Sequence, residues 1–202
     1  TLYQSKVDLA DCAYAHDILW AHFLNGFLDA IPPGATMVDA TEYGYRFEAA
    51  NQDFYKSAWE IAKRAPTLVA PENRVKYSKQ VQVGFGLYLD MYTNDETSRW
   101  YFGPLDGSRL NHLRANFSQA CHASDQYCWV YGEKYRWIKW DWKFKDRDAP
   151  TWEEQLPGFE HALALIADPD RVCHSSWTRA SPKARWSTWS PIQTARRFKK
   201  AN

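Results

Sequence analysis

The chain has 202 residues, with 25 Lys and Arg against 24 Asp and Glu, and a formal net charge of +1. This length suits one good-sized domain or a small pair of domains. The balanced charge gives no reason to expect nucleic acid or an anionic membrane surface as a partner. The sequence also lacks the run of about 18 apolar residues that predicts a transmembrane helix.

Aromatic residues are the unusual part of the composition. The chain contains 11 Trp, 12 Tyr and 10 Phe, which is more than the core of a domain of this size requires. Aromatic side chains that the core does not need tend to line binding grooves. Most of the tryptophans lie at or after Trp129, so we expect such a groove to involve the second half of the chain.

The first half of the chain predicts a helix, a strand and a second helix. Apolar residues at helical spacing indicate a helix from about residue 8 to residue 30, which Pro32 and Pro33 end. A short strand is expected at residues 35–40, and it runs into the sequence Thr-Glu-Tyr-Gly at residues 41–44. Apolar residues from Phe47 to Ile61 then predict the second helix.

The second half continues the alternation of strands and helices. Residues 81–91 place an apolar side chain at every odd position; helical spacing also fits part of this segment, but its two glycines favour a strand ending near Asp90. A helix is predicted from Leu110 to Cys121, with Ser108 as its N-cap. A third strand is expected to begin at residue 127, and a last helix to span residues 157–167.

Strands separated by helices are typical of a parallel sheet built from β-α units. In such sheets the loops after the strands carry the active site, because the carboxyl ends of the strands point the same way. Three acidic residues follow the predicted strands, namely Glu42, Asp90 and Glu133. We therefore expect their carboxyl groups at one edge of the sheet.

Three segments repeat the order strand, acidic residue, aromatic residue. They are Val-Asp-Ala-Thr-Glu-Tyr at residues 38–43, Val-Gly-Phe-Gly-Leu-Tyr-Leu-Asp at residues 83–90, and Trp-Val-Tyr-Gly-Glu-Lys at residues 129–134. With the helix that follows Leu156, they make residues 8–168 resemble the carboxyl-terminal part of a (β/α)8-barrel glycoside hydrolase.

The resemblance implies an α/β fold in which residues 1–168 form a partial (β/α)8 (TIM) barrel, its carboxyl-terminal half and thus a truncated domain. Residues 169–202 form a basic tail rich in Ser and Trp, which is either disordered or a truncated module. The expected partners are a carbohydrate and either the missing barrel half or a second copy of the chain. An extracellular or periplasmic location follows if the protein acts on carbohydrate.

Glycoside hydrolysis requires two carboxyl groups flanking the bond that is cleaved. Glu133 is the first candidate, as nucleophile or acid, Glu42 is the second, and Asp90 is the weakest. Aromatic rings match the apolar faces of sugars and bear polar groups at their edges. The candidate sugar-binding residues are Tyr43, Trp100, Tyr131, Trp137 and Trp140.

Two alternatives remain open on the sequence alone. The acids can instead form surface salt bridges with Arg46, Lys134 or Arg136, and the protein can be a non-catalytic carbohydrate-binding or structural module. No metal or cofactor is expected, because the histidines and cysteines show no metal-ligand spacing. The motifs of dinucleotide, nucleotide and serine-hydrolase sites are also absent from the sequence.

Overall fold

The computed structural model describes residues 19–139 and 149–167. Its strands are β1 (Met37–Thr41), β2 (Val81–Tyr88) and β3 (Cys128–Tyr131). Its helices are α1 (Trp20–Ala30), α2 (Asp53–Lys63), α3 (Arg74–Gln80), α4 (Arg109–Ala123), α5 (Trp152–Gln155) and α6 (Phe159–Ala167). Two short 3-10 helices, Glu42–Arg46 and Leu89–Tyr92, directly follow β1 and β2.

The three strands form one parallel sheet in the order β1-β2-β3. Thr41 is paired with Phe85, and Tyr88 is paired with Tyr131. This register brings the carboxyl ends of the strands to the same edge of the sheet. The segments that follow the strands, including the two 3-10 helices, therefore start from this edge.

Strand β2 is buried on both faces, and its alternating sequence explains how. Val83, Phe85 and Leu87 are buried on the face that packs against helices, where Phe85 meets Phe54 of α2 at 5.4 Å between ring centroids. Glycines occupy the other face. A Cβ atom on Gly86 would lie 2.6 Å from Cζ2 of Trp129, so only glycine lets this indole lie across β2.

The helices begin and end for identifiable local reasons. Ser108 is the N-cap of α4, as the sequence predicts, and its hydroxyl accepts a hydrogen bond from the backbone N–H of Asn111 at 3.3 Å. Helix α2 begins at Asp53, later than its apolar pattern predicts, because Gln52 has a positive φ of 58° after a 3-10 turn. Helix α3 is largely polar, and the apolar pattern does not predict it.

The prediction of a partial (β/α)8 barrel is wrong. The parts of the chain that the structure describes form α-helices, 3-10 helices and a sheet of only three parallel strands. In this sheet β1 and β3 each pair with β2 alone. A barrel requires every strand to pair on both sides. The alternation of strands and helices is common to barrels and open sheets, so the pattern could not distinguish them. The tail at residues 169–202 lies outside the described residues.

Two cysteines connect helix α4 to the sheet. Cys121 and Cys128 are free and partly buried. The interaction between their thiols lowers the pKa of Cys121, and this interaction together with burial raises that of Cys128. Cys12 and Cys173 lie outside the described residues. None of the described helices is long and apolar enough to cross a membrane.

Candidate functional site

The carboxyl edge of the sheet carries all three acids that the sequence proposes. Glu42 begins the 3-10 helix after β1, and Asp90 belongs to the 3-10 helix after β2. Glu133 follows β3 with Gly132 between them. Glu42 and Glu133 are exposed, whereas Asp90 is completely buried. The three carboxyl groups therefore share one edge but not one environment.

Three tyrosine rings, Tyr45, Tyr88 and Tyr131, pack together at this edge and are called the tyrosine cluster below. Tyr88 and Tyr131, paired at the ends of β2 and β3, stack with ring centroids 5.6 Å apart. Tyr45 lies 5.6 Å from Tyr88 and 6.2 Å from Tyr131. The edge of Trp129 meets Tyr45 at 5.3 Å. Tyr131 remains 40% exposed, so part of this aromatic surface faces solvent.

The carboxylate of Glu133 is held by two hydroxyl groups of the tyrosine cluster. Tyr131 donates to Oε1 at 2.5 Å, and Tyr88 donates to Oε2 at 3.0 Å. Hydrogen bonds from Tyr131 and Tyr88 lower the pKa of Glu133 below its ordinary value, since they favour the charged form. The site thus presents a carboxylate that is ionised, oriented and open to solvent.

The tyrosine hydroxyls are suited to remain donors. Burial, followed by the charges of Glu42, Tyr131 and Glu133, raises the pKa of Tyr45 to about 12. Burial and hydrogen bonding to Asp90 and Glu133 raise the pKa of Tyr88 as well. Glu42 shares a 3-10 helix with Tyr45, and Glu133 is hydrogen-bonded to Tyr88 and Tyr131, so both exposed glutamates belong to segments that carry or contact the tyrosine cluster.

The side chain of Asp90 is buried and binds backbone N–H groups rather than facing solvent. Its Oδ2 accepts the backbone N–H of Glu133 at 3.0 Å, and its Oδ1 accepts the backbone N–H of Lys134 at 3.2 Å. The side chain is 0% exposed. Asp90 therefore fixes the backbone that carries Glu133, and its carboxyl group is closed to solvent.

Trp100 extends the aromatic surface beyond the tyrosine cluster. Its ring meets Tyr88 edge to face at 5.9 Å. The guanidinium carbon of Arg46 lies 4.2 Å from the centroid of the Trp100 ring, and that of Arg99 lies 5.5 Å from it. Both arginines are exposed. A tryptophan flanked by two cations thus adjoins the tyrosine that binds Glu133.

Within residues 19–139 and 149–167, Glu42, Asp90 and Glu133 form no salt bridge. There the ion pairs are Lys56 with Asp53, Arg64 with Glu60, and Lys139 with Glu154. None of them includes an acid of the candidate site. Arg136 instead donates from Nε to the backbone oxygen of Ala149 at 2.5 Å.

The other proposed sugar-binding residues are Trp137, Tyr43 and Trp140. Trp137 is 45% exposed and packs against Trp152 at 6.1 Å and Phe159 at 5.9 Å between ring centroids. Tyr43 is 56% exposed on the 3-10 helix after β1. Trp140 lies outside the described residues.

Sequence reasoning missed Tyr45, Tyr88 and the arginines beside Trp100 as residues of this site. A signal was present for the two tyrosines. Tyr88 ends an alternating strand, as Tyr131 does, so parallel pairing brings them together. Tyr45 is three residues after Glu42, and in a 3-10 helix residues at this spacing lie on the same side. No sequence pattern indicated the stacking of Arg46 on Trp100.

Comparisons with models of protein families, with curated proteins and with solved structures found no match to this chain. The function must therefore be inferred from the site itself. Among residues 19–139 and 149–167, no group of three His, Cys, Asp or Glu side chains is arranged to hold a metal ion.

Proposed function

We propose that this protein binds a poly- or oligosaccharide at the tyrosine cluster and hydrolyses its glycosidic bonds. The observation that carries the proposal is Glu133, an exposed carboxylate whose two oxygens are held by Tyr131 and Tyr88. Sugars combine apolar ring faces with hydroxyl edges, and an aromatic surface around an oriented acceptor matches both features.

The chemistry assigns different roles to the two exposed carboxyl groups. Glycoside hydrolysis passes through a transition state with positive charge on the sugar ring, and one carboxylate must stabilise that charge or attack the carbon. Glu133 suits this role, because its lowered pKa keeps it ionised. Glu42, which begins the 3-10 helix that carries Tyr45, is the second carboxyl group and would protonate the leaving oxygen or activate water.

Other residues at this edge of the sheet position Glu133 and extend the aromatic surface around it. Asp90 positions the backbone of Glu133 through its two hydrogen bonds. Tyr131 and Tyr88 orient the carboxylate and keep their protons, since the pKa of each is raised. Trp100, whose ring contacts Tyr88, extends the aromatic surface toward a neighbouring sugar unit.

Non-catalytic carbohydrate binding is the second candidate, and the position of Asp90 favours it. With Asp90 buried against backbone N–H groups, Glu42 and Glu133 are the remaining pair of acids at this edge. Hydrolysis requires carboxyl groups about 5 to 5.5 Å apart for retention or about 6.5 to 9.5 Å apart for inversion. If the two glutamates lie beyond this range, the same aromatic surface binds sugar without cleaving it.

The test is to measure binding and hydrolysis together over a panel of polysaccharides. Affinity electrophoresis reports binding, and release of reducing ends reports hydrolysis. Glu133→Gln should retain binding and lower the rate of hydrolysis at least about 100-fold. Glu72→Gln makes the same change at an exposed glutamate beside helix α1 and should leave both unchanged.

Each outcome has a defined meaning. Binding without hydrolysis in the unaltered protein supports the non-catalytic candidate. Hydrolysis that Glu133→Gln leaves unchanged would refute the assigned role of this residue. Absence of both binding and hydrolysis across the panel would contradict the carbohydrate proposal as a whole.

A further inference from the structure

We propose that the carbohydrate carries negative charge, and that Arg46 and Arg99 beside Trp100 bind its carboxylate or sulfate groups. This inference rests on the proposed function and names its class of substrate. It comes from the two guanidinium groups, whose carbon atoms lie 4.2 Å and 5.5 Å from the centroid of the Trp100 ring.

The arginines are connected to the carboxylate site through direct contacts. Arg46 belongs to the same short helix as Glu42 and Tyr45. Its partner Trp100 contacts Tyr88, whose hydroxyl donates to Glu133. A sugar unit over the tyrosine cluster would therefore place its neighbour in the chain near Trp100 and the two guanidinium groups.

The charge of these arginines is not neutralised within the described part of the protein. Both are exposed, and neither forms an ion pair with an acid in residues 19–139 or 149–167. The nearby carboxylate of Glu133 is satisfied by tyrosine hydroxyls rather than by arginine. The positive charge beside Trp100 thus remains available to a ligand.

Stacking on an indole also prepares a guanidinium to bind an anion. When a guanidinium meets an indole through its flat face, its N–H groups lie in the plane and point outward. An arginine held in this way presents a fork that matches the two oxygens of a carboxylate or a sulfate.

The two arginines offset the negative charge of the glutamates at this edge of the sheet. Glu42 and Glu133 are both exposed there, and alone they would repel an anionic polysaccharide. Two cations at the Trp100 end offset this repulsion and set the position of the chain, with its charged group at Arg46 and Arg99 and the cleaved bond at Glu133. A neutral polysaccharide would need no such pair.

The experiment compares anionic polysaccharides with neutral forms that have the same backbone. Affinity electrophoresis is run with three pairs: polygalacturonate, polyglucuronate and polymannuronate, each beside its carboxyl-reduced neutral counterpart. Sulfated and desulfated galactan form a fourth pair, which distinguishes sulfate from carboxylate. The protein is tested unaltered and as Arg46→Gln, Arg99→Gln and the double variant. Arg114→Gln changes an exposed arginine of helix α4 and is the matched control.

We expect at least one anionic form to bind at least about tenfold more tightly than its neutral counterpart, and added NaCl to weaken that binding. The double variant should lose this preference and keep its affinity for the neutral form, whereas Arg114→Gln should change neither. Equal binding of neutral and anionic forms, or a preference that the double variant retains, would overturn this inference alone. Failure to bind any of the eight forms would overturn the proposed function together with it.

Discussion

Replacing Asp90 should destabilise the backbone that carries Glu133. The buried carboxylate of Asp90 accepts two backbone N–H groups, from Glu133 at 3.0 Å and from Lys134 at 3.2 Å. A hydrogen bond to a charged group contributes about 1.5–3 kcal/mol. Asp90→Ala, which removes both bonds, should therefore cost about 3–6 kcal/mol. Asp90→Asn keeps one carbonyl oxygen and should cost about 1.5–3 kcal/mol.

Urea denaturation measures these changes as differences in the free energy of unfolding. Asp106→Asn makes the same chemical change at an exposed position whose positive φ of 50° asparagine tolerates, and it should stay within about 0.5 kcal/mol of the unaltered protein. Amide hydrogen exchange at Glu133 and Lys134 should accelerate in Asp90→Asn. If Asp90→Asn matches the control in both measurements, Asp90 does not anchor this backbone.

Three further changes probe the same edge of the sheet. Tyr131→Phe should raise the pKa of Glu133 toward its ordinary value, as followed by carbon NMR, because Tyr131 is the main cause of its lowering; an unchanged pKa contradicts this. In the unaltered protein, the stability that this lowering contributes is present at neutral pH and is lost as the pH falls through the folded pKa of Glu133. Tyr45→Phe should leave the phenolate absorbance at about pH 10 unchanged, since the pKa of Tyr45 is about 12; a loss equal to about half of one phenolate would show that Tyr45 titrates normally. Gly86→Ala should lower the free energy of unfolding by about 1–3 kcal/mol through overpacking against Trp129, and an unaltered urea midpoint would show that the indole moves aside.

The positions of the strands could be predicted from the sequence. Whether the sheet stays open or closes into a barrel could not. Alternation in residues 81–91 predicts β2, and the helical pattern after Ser108 predicts α4, because both depend on which side chains face the core. Closure into a barrel depends instead on what pairs with the outer edges of β1 and β3. Local periodicity holds no information about these partners, which is why the barrel prediction was wrong.

The candidate site could be predicted in part for the same reason. The rule that parallel strands end at one edge places Glu42, Asp90 and Glu133 together, and the structure has them there. The rule cannot say which carboxylate faces backbone N–H groups and which faces solvent. That distinction depends on how the chain folds after Asp90, because this folding brings the backbone N–H groups of Glu133 and Lys134 onto the Asp90 carboxylate.

The central claim is that sugar binds at the tyrosine cluster beside Glu133 and Trp100. NMR of the labelled protein with a bound oligosaccharide tests it directly, through the carboxyl carbon of Glu133 and the indole N–H of Trp100. We predict that both signals shift and saturate together, while the indole signal of Trp59 on helix α2 stays in place. Saturable binding or hydrolysis with the signals of Glu133 and Trp100 unmoved would contradict the claim.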